Sequence, residues 1–488
     1  MTGPMLRLLR KALVSALLGL VLILAVAYGW FVFHGPAPSV WHTAKLDAEF
    51  TAAQEASVGT IAGYKALEDR LYAQLQTEVL DQVQPGDRIA FNRYNRGSRS
   101  DPATWDVNWN RTFEITPPHP VAAALLLHGL TDSPYSMRSV GEHLAARGCK
   151  VVGLRLPGHG AAVSGLLTFE IEDMQAAVRL AMRDLRRQLG PDVPIYMVGY
   201  SNGAALSVDY ALDVVAGADL PKPAGLVLMS PAIAISPFAI VARLRTGISS
   251  VPGFGRAAWQ VIGTEFDPYK YTSFSFHAAG ETQRLTSGID SKVQRLFERG
   301  PIHGFPPTLI FLSTVDATIL APAVADVLLE HLAPEGHELV LFDLNRLTEI
   351  QPLLVRDPGP LTAKLLSAPK RSYALTVVTN ANPETLEVKE LRAAPGSNVQ
   401  ASRPLPWSWP RDVYSLSHVA MPFPPDDPLY GYDAPRDVHH VQLGRVRAHG
   451  ENGVLALPDW VITRQRSNPF HAYMLERIDQ FIPAPPGG

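Results

Sequence analysis

The 488-residue sequence holds a single cysteine, Cys149, which excludes an intrachain disulfide and a cysteine-based zinc cluster. Basic residues are not in excess: 43 Lys and Arg stand against 46 Asp and Glu, for a net charge of −3. No sustained basic run or basic patch interleaved with aromatics occurs, so the electrostatic footprint of a nucleic-acid-binding protein is missing. Charged residues are sparse at 18% and hydrophobic ones reach 47%, which rules out a wholly disordered chain and supplies a large core. The 42 prolines and 37 glycines follow no period, so they mark loops, not collagen or low-complexity sequence. The length suits about three domains or one decorated core.

Charge is also absent from Ala12 to Phe33, a stretch of 22 residues. As a helix rising about 1.5 Å per residue it would cover a bilayer core of about 30 Å. Arg7, Arg10 and Lys11 precede it, and His34, Lys45, Asp47 and Glu49 follow. The positive-inside bias then puts the N-terminus in the cytoplasm and the rest of the chain on the periplasmic or extracytoplasmic side. Tyr28, Trp30 and Phe31 sit where an aromatic belt belongs. A cleaved signal peptide with Ala25-Val26-Ala27 as its site competes with this single-pass anchor. The apolar stretch runs on past that site, which favours the anchor; a buried core helix is the third reading.

Beyond the anchor, residues 53–82 carry helical spacing. Strand-like apolar runs then recur at Val121–Leu127, Val151–Leu156, Ile195–Val198, Gly225–Met229, Thr308–Leu312 and Leu339–Phe342. They alternate with helical patterns such as Met137–Arg147 and Ile171–Leu189, which predicts βαβ units and a mainly parallel sheet. Two stretches break the rhythm and read as insertions. Residues 236–300 are apolar and partly helical. Residues 346–410 are proline-rich, with two short strand candidates, Tyr373–Thr379 and Leu386–Leu391.

The strongest chemical signal is Gly199-Tyr200-Ser201-Asn202-Gly203. The G-x-S-x-G pattern alone is weak. Here it follows a predicted strand and opens a predicted helix, Ala204–Leu212, which is the setting of a nucleophile elbow. Such a turn holds its serine in a strained conformation at a helix N-terminus, where the dipole favours negative charge. An ordinary βα turn with a serine cap is the plainer reading. A second signal is the apolar strand running into His128-Gly129-Leu130. Acyl-transfer chemistry needs backbone N–H groups aimed at an oxyanion, and the Leu130 and Asn202 amides are the natural pair. His128 and the His159 of Leu154-Arg155-Leu156-Pro157-Gly158-His159-Gly160 read as turn-stabilising residues.

Taken together, LLLHGLTDSPYSM, LRLPGHG and GYSNG resemble the α/β-hydrolase superfamily, in the branch of monoglyceride lipases, lysophospholipase-like proteins and small bacterial carboxylesterases. The resemblance covers about Val121 to Leu344, with segments near 415–430 and the C-terminal helix. It implies an α/β-hydrolase fold with a lid, and triad partners in the chain order nucleophile, acid, histidine. Asp316 follows the strand Thr308–Leu312, where the family places its acid; a cap for a helix over Ile319–Leu332 is its alternative. The later histidines are His331, His337, His418, His439, His440, His449 and His471. His418 lies in a loop, Ser415-Leu416-Ser417-His418-Val419, similar to the family's histidine loop, and is the choice, with His439 or His449 next. Its separation of 102 residues from Asp316 exceeds the family's habit, and the 346–410 insertion accounts for the excess. His439-His440 and Asp426-Asp427 are candidate ion ligands, set against solvated loops.

The expected organisation is an anchor over 1–34, a linker and amphipathic helix over 35–82, hydrolase core over 83–235 and 301–345, a lid over 236–300, an extra insertion over 346–410, and the histidine loop with a C-terminal helix over 411–488. The expected activity is hydrolysis of a carboxylic ester, lipid-like or simply acyl, through Ser201, His418 and Asp316 and an acyl-enzyme. Phe238, Ile240, Val241, Val251, Phe254, Trp259 and Phe274 are candidates to line an acyl pocket. No metal, organic cofactor or nucleic acid is implied. An acyltransferase or an amidase or peptidase with the same triad stays open, as does a non-catalytic binding protein on the same fold.

Overall fold

The structure, a computed structural model, describes residues 10–20, 22–23, 29, 36–233, 255–316, 321–349, 351–354, 357–368, 371–445 and 464–483. Its strands are β1 Phe113–Ile115, β2 Ala122–Leu127, β3 Cys149–Leu154, β4 Ile195–Tyr200, β5 Gly225–Met229, β6 Trp259–Val261, β7 Phe274–Ser275, β8 Thr308–Ser313, β9 His337–Phe342, β10 Ala374–Asn380, β11 Glu387–Ala393 and β12 Gln400–Ser408. The longer helices are α1 Ile61–Glu78, α2 Arg138–Ala146, α3 Ile171–Leu189, α4 Asn202–Val215, α5 Phe276–Phe297, α6 Ala321–Val327, α7 Gly359–Ser367 and α8 His471–Phe481.

Ten strands form one sheet in the order β1-β3-β2-β4-β5-β8-β9-β10-β11-β12. Pairing is parallel from β3 through β10, with antiparallel β1 at one edge and antiparallel β11 and β12 at the other. This is an α/β-hydrolase fold with a mostly parallel sheet. The central strands are apolar throughout because both faces are covered. Alternate residues divide between two cores, as the period of two requires. Ala123, Leu125 and Leu127 of β2 join Met197, Leu228, Ile310 and Leu341 on one face, under α1, α3, α4 and α5. Ala122, Ala124 and Leu126 join Val198, Val227, Phe311 and Phe342 on the other, under α2 and α8.

The helical spacing over 53–82 is interrupted at Gly59, whose φ of +58° ends a short helix, Glu55–Val58. Thr60 then caps α1, its side chain accepting from the Gly63 amide. The strand expected at Val151–Leu156 lies two residues earlier, because the Arg155 amide turns to Thr112 Oγ1 (3.0 Å) and the Leu156 amide to His128 Nε2 (3.0 Å) instead of the ladder. Residues 346–410 do not sit apart from the sheet. They extend it by three strands, and β12 closes the edge with Pro404 and Pro406, which have no N–H to offer another chain. Residues 255–300 form the β6–β7 hairpin and α5, which packs Ala278, Leu285, Ile289 and Val293 into the first core.

The expected membrane anchor is corrected. Among the described residues no helix is long and apolar enough to cross a membrane. The helical run described over 10–20 has 11 residues, or about 16 Å of rise, roughly half of a bilayer core. Much of Ala12–Phe33 lies outside the described residues. The single-pass placement with an extracytoplasmic domain is therefore withdrawn.

Candidate active site

β4 delivers Ser201 directly into α4. Ser201 has φ 52° and ψ −113°, a strained conformation for a residue with a side chain. The surrounding backbone holds it there: the Ser201 amide donates to Met229 O (2.9 Å), and the Ala205 and Ala232 amides donate to Ser201 O (both 3.1 Å). Gly203 is required by close approach, since a Cβ there would lie 2.2 Å from Leu127 O.

Ser201 Oγ lies 3.0 Å from His418 Nε2, and His418 Nδ1 lies 2.8 Å from Asp316 Oδ2. A carboxylate only accepts, so Nδ1 carries the imidazole proton and Nε2 is left to accept from the Ser201 hydroxyl. The Asp316 side chain is fully buried, in the turn after β8. His418 opens a single 3-10 turn, His418–Ala420. Its approach is pinned from the sheet extension: the Trp409 amide donates to Leu386 O (2.8 Å), Asn345 Nδ2 to Val413 O (3.1 Å), and the Asn345 amide to Tyr414 O (2.8 Å). The 102-residue gap between acid and histidine is thus filled by β9 through β12.

The loop after β2 abuts Ser201. A Cβ on Gly129 would lie 3.0 Å from the Tyr200 ring and 3.3 Å from Ser201 Cβ. His128 Nδ1 donates to Gly129 O at 2.8 Å, while His128 Nε2 accepts from the Leu156 amide. The Asp132 amide also donates to Gly129 O (3.2 Å). A trans peptide is planar, so gripping Gly129 O turns the Leu130 N–H the opposite way. Among the described residues, neither the Leu130 nor the Asn202 amide meets an acceptor. Burial drives His128 well below the usual histidine range, and the neighbouring His159 adds to the effect, so His128 works as a neutral donor–acceptor.

His159 is buried, donates from Nδ1 to Pro157 O (3.0 Å), and is pushed down to about 4 by desolvation. His337 begins β9, His471 begins α8, and His331 lies against the Phe297 ring. His439 is exposed, and His440 is held by Asp437 Oδ2 (2.5 Å) and Thr104 O (3.1 Å). His449 lies outside the described residues. Asp427 is not an open ligand: it accepts from Tyr135 Oη (2.8 Å), from Arg138 (3.1 Å) and from the Leu429 and Tyr430 amides (3.0 and 2.8 Å). Among the described residues, the carboxylates near enough to share an ion are Glu170, Glu172 and Glu281, and Arg284 bridges all three. Of the expected acyl-pocket residues, Phe238, Ile240, Val241, Val251 and Phe254 lie outside the described residues. Trp259 is buried edge-on against His42 (5.0 Å between centroids), as core. Phe274 is partly buried against that core.

Sequence reasoning missed an aromatic and ionic collar around these loops. Tyr135 stacks on Tyr269 (4.3 Å, 5°) and lies near Phe423 and Tyr430. Lys270 pairs with Asp132 (3.1 Å). The partners in that pair are 138 residues apart, and no local spacing marks them.

Residues 118–275, under half of the chain, match the family model described as serine aminopeptidase, S33. That match bears out, over those residues, the α/β-hydrolase resemblance carried by the sequence motifs. A soluble variant of monoglyceride lipase from Saccharomyces cerevisiae is 16% identical, over 48% of this chain and 82% of that one, with a TM-score of 0.36. The monoacylglycerol lipase of Paleococcus ferrophilus is 19% identical, over 48% and 88%, with a TM-score of 0.36. A carboxyl esterase from Bacillus coagulans is 14% identical, over 48% and 84%, with a TM-score of 0.37. No curated protein sequence matches the chain.

Proposed function

We propose that the chain is a serine hydrolase that cleaves carboxylic esters by double displacement. The observation that carries this reading is the relay Ser201 Oγ to His418 Nε2 (3.0 Å) and His418 Nδ1 to Asp316 Oδ2 (2.8 Å). Ser201 Oγ attacks the ester carbonyl as His418 Nε2 takes its proton. Asp316 holds the tautomer and stabilises the imidazolium. The Leu130 and Asn202 amides bind the oxyanion, aided by the N-terminus of α4. His418 passes the proton to the departing alkoxide, leaving an acyl-enzyme. Water enters, gives its proton to His418, attacks the acyl carbon, and the carboxylic acid leaves as Ser201 regains its proton. Residues within 236–300 serve as the lid over this site.

The test is turnover of p-nitrophenyl esters of increasing acyl length by wild type and Ser201→Ala. Activity that disappears in the variant supports the reading, and the optimum chain length measures the acyl site. Activity that survives in Ser201→Ala overturns it. The match to the serine aminopeptidase model favours peptide-bond cleavage as a second reading. Aminoacyl p-nitroanilides turned over faster than esters would establish it.

A further inference from the structure

The shape of the loop that carries the Leu130 amide is not set by that loop alone. Thr131, the next residue, has φ +63°, one of three non-glycine residues in the left-handed region among those described. Such a backbone persists only where its surroundings impose it. The imposition comes from residues 264–272, within the loop that joins β6 to β7. The Tyr271 amide donates to Thr131 O at 2.7 Å. Lys270 Nζ donates to Asp132 Oδ2 at 3.1 Å, and among the described residues it is the one cation within pairing distance of that carboxylate. Asp132 is 3% exposed, so a lone charge there would be costly and its pairing is correspondingly directive.

The chain of contacts then runs inward. The Asp132 amide donates to Gly129 O (3.2 Å), the carbonyl of the peptide whose N–H is that of Leu130. On the outer side, Asp267 Oδ1 accepts from the Tyr269 and Lys270 amides (3.0 and 3.1 Å). Asp267 Oδ2 accepts from Tyr430 Oη (2.7 Å), in the segment that follows His418. Residues 264–272 therefore join the oxyanion loop to the histidine side of the site.

We propose that Lys270 is a positioning residue: its ion pair with Asp132 holds the Gly129–Leu130 peptide with the N–H aimed at the forming oxyanion. This rests on the serine-hydrolase reading. Loss of the pair lets the Asp132 turn relax and misaims the donor without removing it. Removing one oxyanion donor costs about 10²–10³ in kcat, so misaiming one should cost about 10–100-fold.

The experiment compares wild type, Lys270→Met, Lys270→Arg and Asp132→Asn in ester turnover and in binding of a phenylboronic acid. The boronate forms a bond from Ser201 Oγ to boron and places a negative oxygen where the oxyanion develops. Lys270→Met should lower kcat about 10–100-fold with KM nearly unchanged, and weaken boronate binding by a similar factor. Lys270→Arg should restore most of both, and Asp132→Asn should reproduce the Met phenotype. A folded Lys270→Met enzyme with wild-type kcat and boronate affinity overturns the proposal and leaves the hydrolase reading intact. So does a variant that loses thermal stability alone. A wild type with neither Ser201-dependent turnover nor boronate binding removes both.

Discussion

Arg155, in the turn after β3, is 1% exposed and joins two carboxylates of the N-terminal region to the core. Its Nη1 and Nη2 donate to Glu49 Oε2 and Oε1 (2.9 and 2.8 Å), its Nε to Glu68 Oε1 (2.9 Å), and its Nη1 also to His159 O (2.9 Å). Burial pushes the Glu49 carboxyl up, but the bidentate guanidinium and the Gly158 and Phe50 amides outweigh it and hold Glu49 below the usual range. Glu68 receives only the single Nε bond and Thr112, so burial wins and its carboxyl sits above the usual range. Arg155→Met keeps the stem and removes four hydrogen bonds, three of them to carboxylates. The buried Glu68 and the partly buried Glu49 are left without their cation, and breaking a buried pair in this way costs about 3–5 kcal/mol. With a urea m-value of about 3 kcal/mol/M the midpoint should fall by about 1–1.7 M at pH 7. The deficit must shrink in acid. In wild type the contribution of Glu49 is present above its unfolded pKa and lost as pH falls through its depressed folded value, while in the variant protonation relieves the stranded charges. Urea unfolding at pH 7, 6, 5 and 4 measures this, and adding Glu49→Gln and Glu68→Gln should recover part of the loss. A deficit under about 1 kcal/mol, or one that does not change with pH, would refute the reasoning.

Asp316→Asn should lower kcat by about 10³–10⁴ with KM little changed and the circular dichroism intact, because the amide no longer fixes the Nδ1–H tautomer of His418. Gly203→Ala should destabilise by about 1–3 kcal/mol in thermal unfolding, since its Cβ would fall 2.2 Å from the Leu127 carbonyl, which cannot swing aside. Burial raises the Asp132 carboxyl to about 6, against the opposing pull of Lys270. A raised acid is most favourable below its unfolded value of 3.8 and loses that advantage as pH climbs through its folded value. The stability of wild type relative to Asp132→Asn should therefore fall by about 2 kcal/mol between pH 4 and pH 7; a gap constant over that range in denaturant titrations would contradict the burial.

Local pattern was enough for whatever depends on neighbours in the chain. The unbroken apolar runs of β2, β4, β5, β8 and β9 read as strands because both of their faces are buried, and α3 spans the residues its periodicity marks. The strand–turn–helix setting of Ser201 was legible for the same reason: Gly199 and Gly203, two residues to either side of the serine, mark a tight turn between a strand and a helix that adjoin in the chain. The placement of His418 beside Ser201 was chosen from a motif, but what brings them to 3.0 Å is the sheet, in which β9 to β12 carry the chain from Asp316 back to Ser201. Proline content marked 346–410 as a break in the rhythm, and its strands nonetheless join the sheet edge, because antiparallel edge strands are half exposed and tolerate proline where no partner needs an N–H. The apolar run over Ala12–Phe33 pointed to a membrane, since hydropathy measures what a segment tolerates and not what it forms; no described helix spans one. The Arg155 carboxylate pair and the Lys270–Asp132 clamp join residues with sequence separations of 87 to 138, and such bonds leave no period or motif in the sequence. Charge pairs buried between distant segments are decided only when packing excludes water around them, which is why the tertiary structure alone brings Lys270 to Asp132 and Arg155 to Glu49 and Glu68.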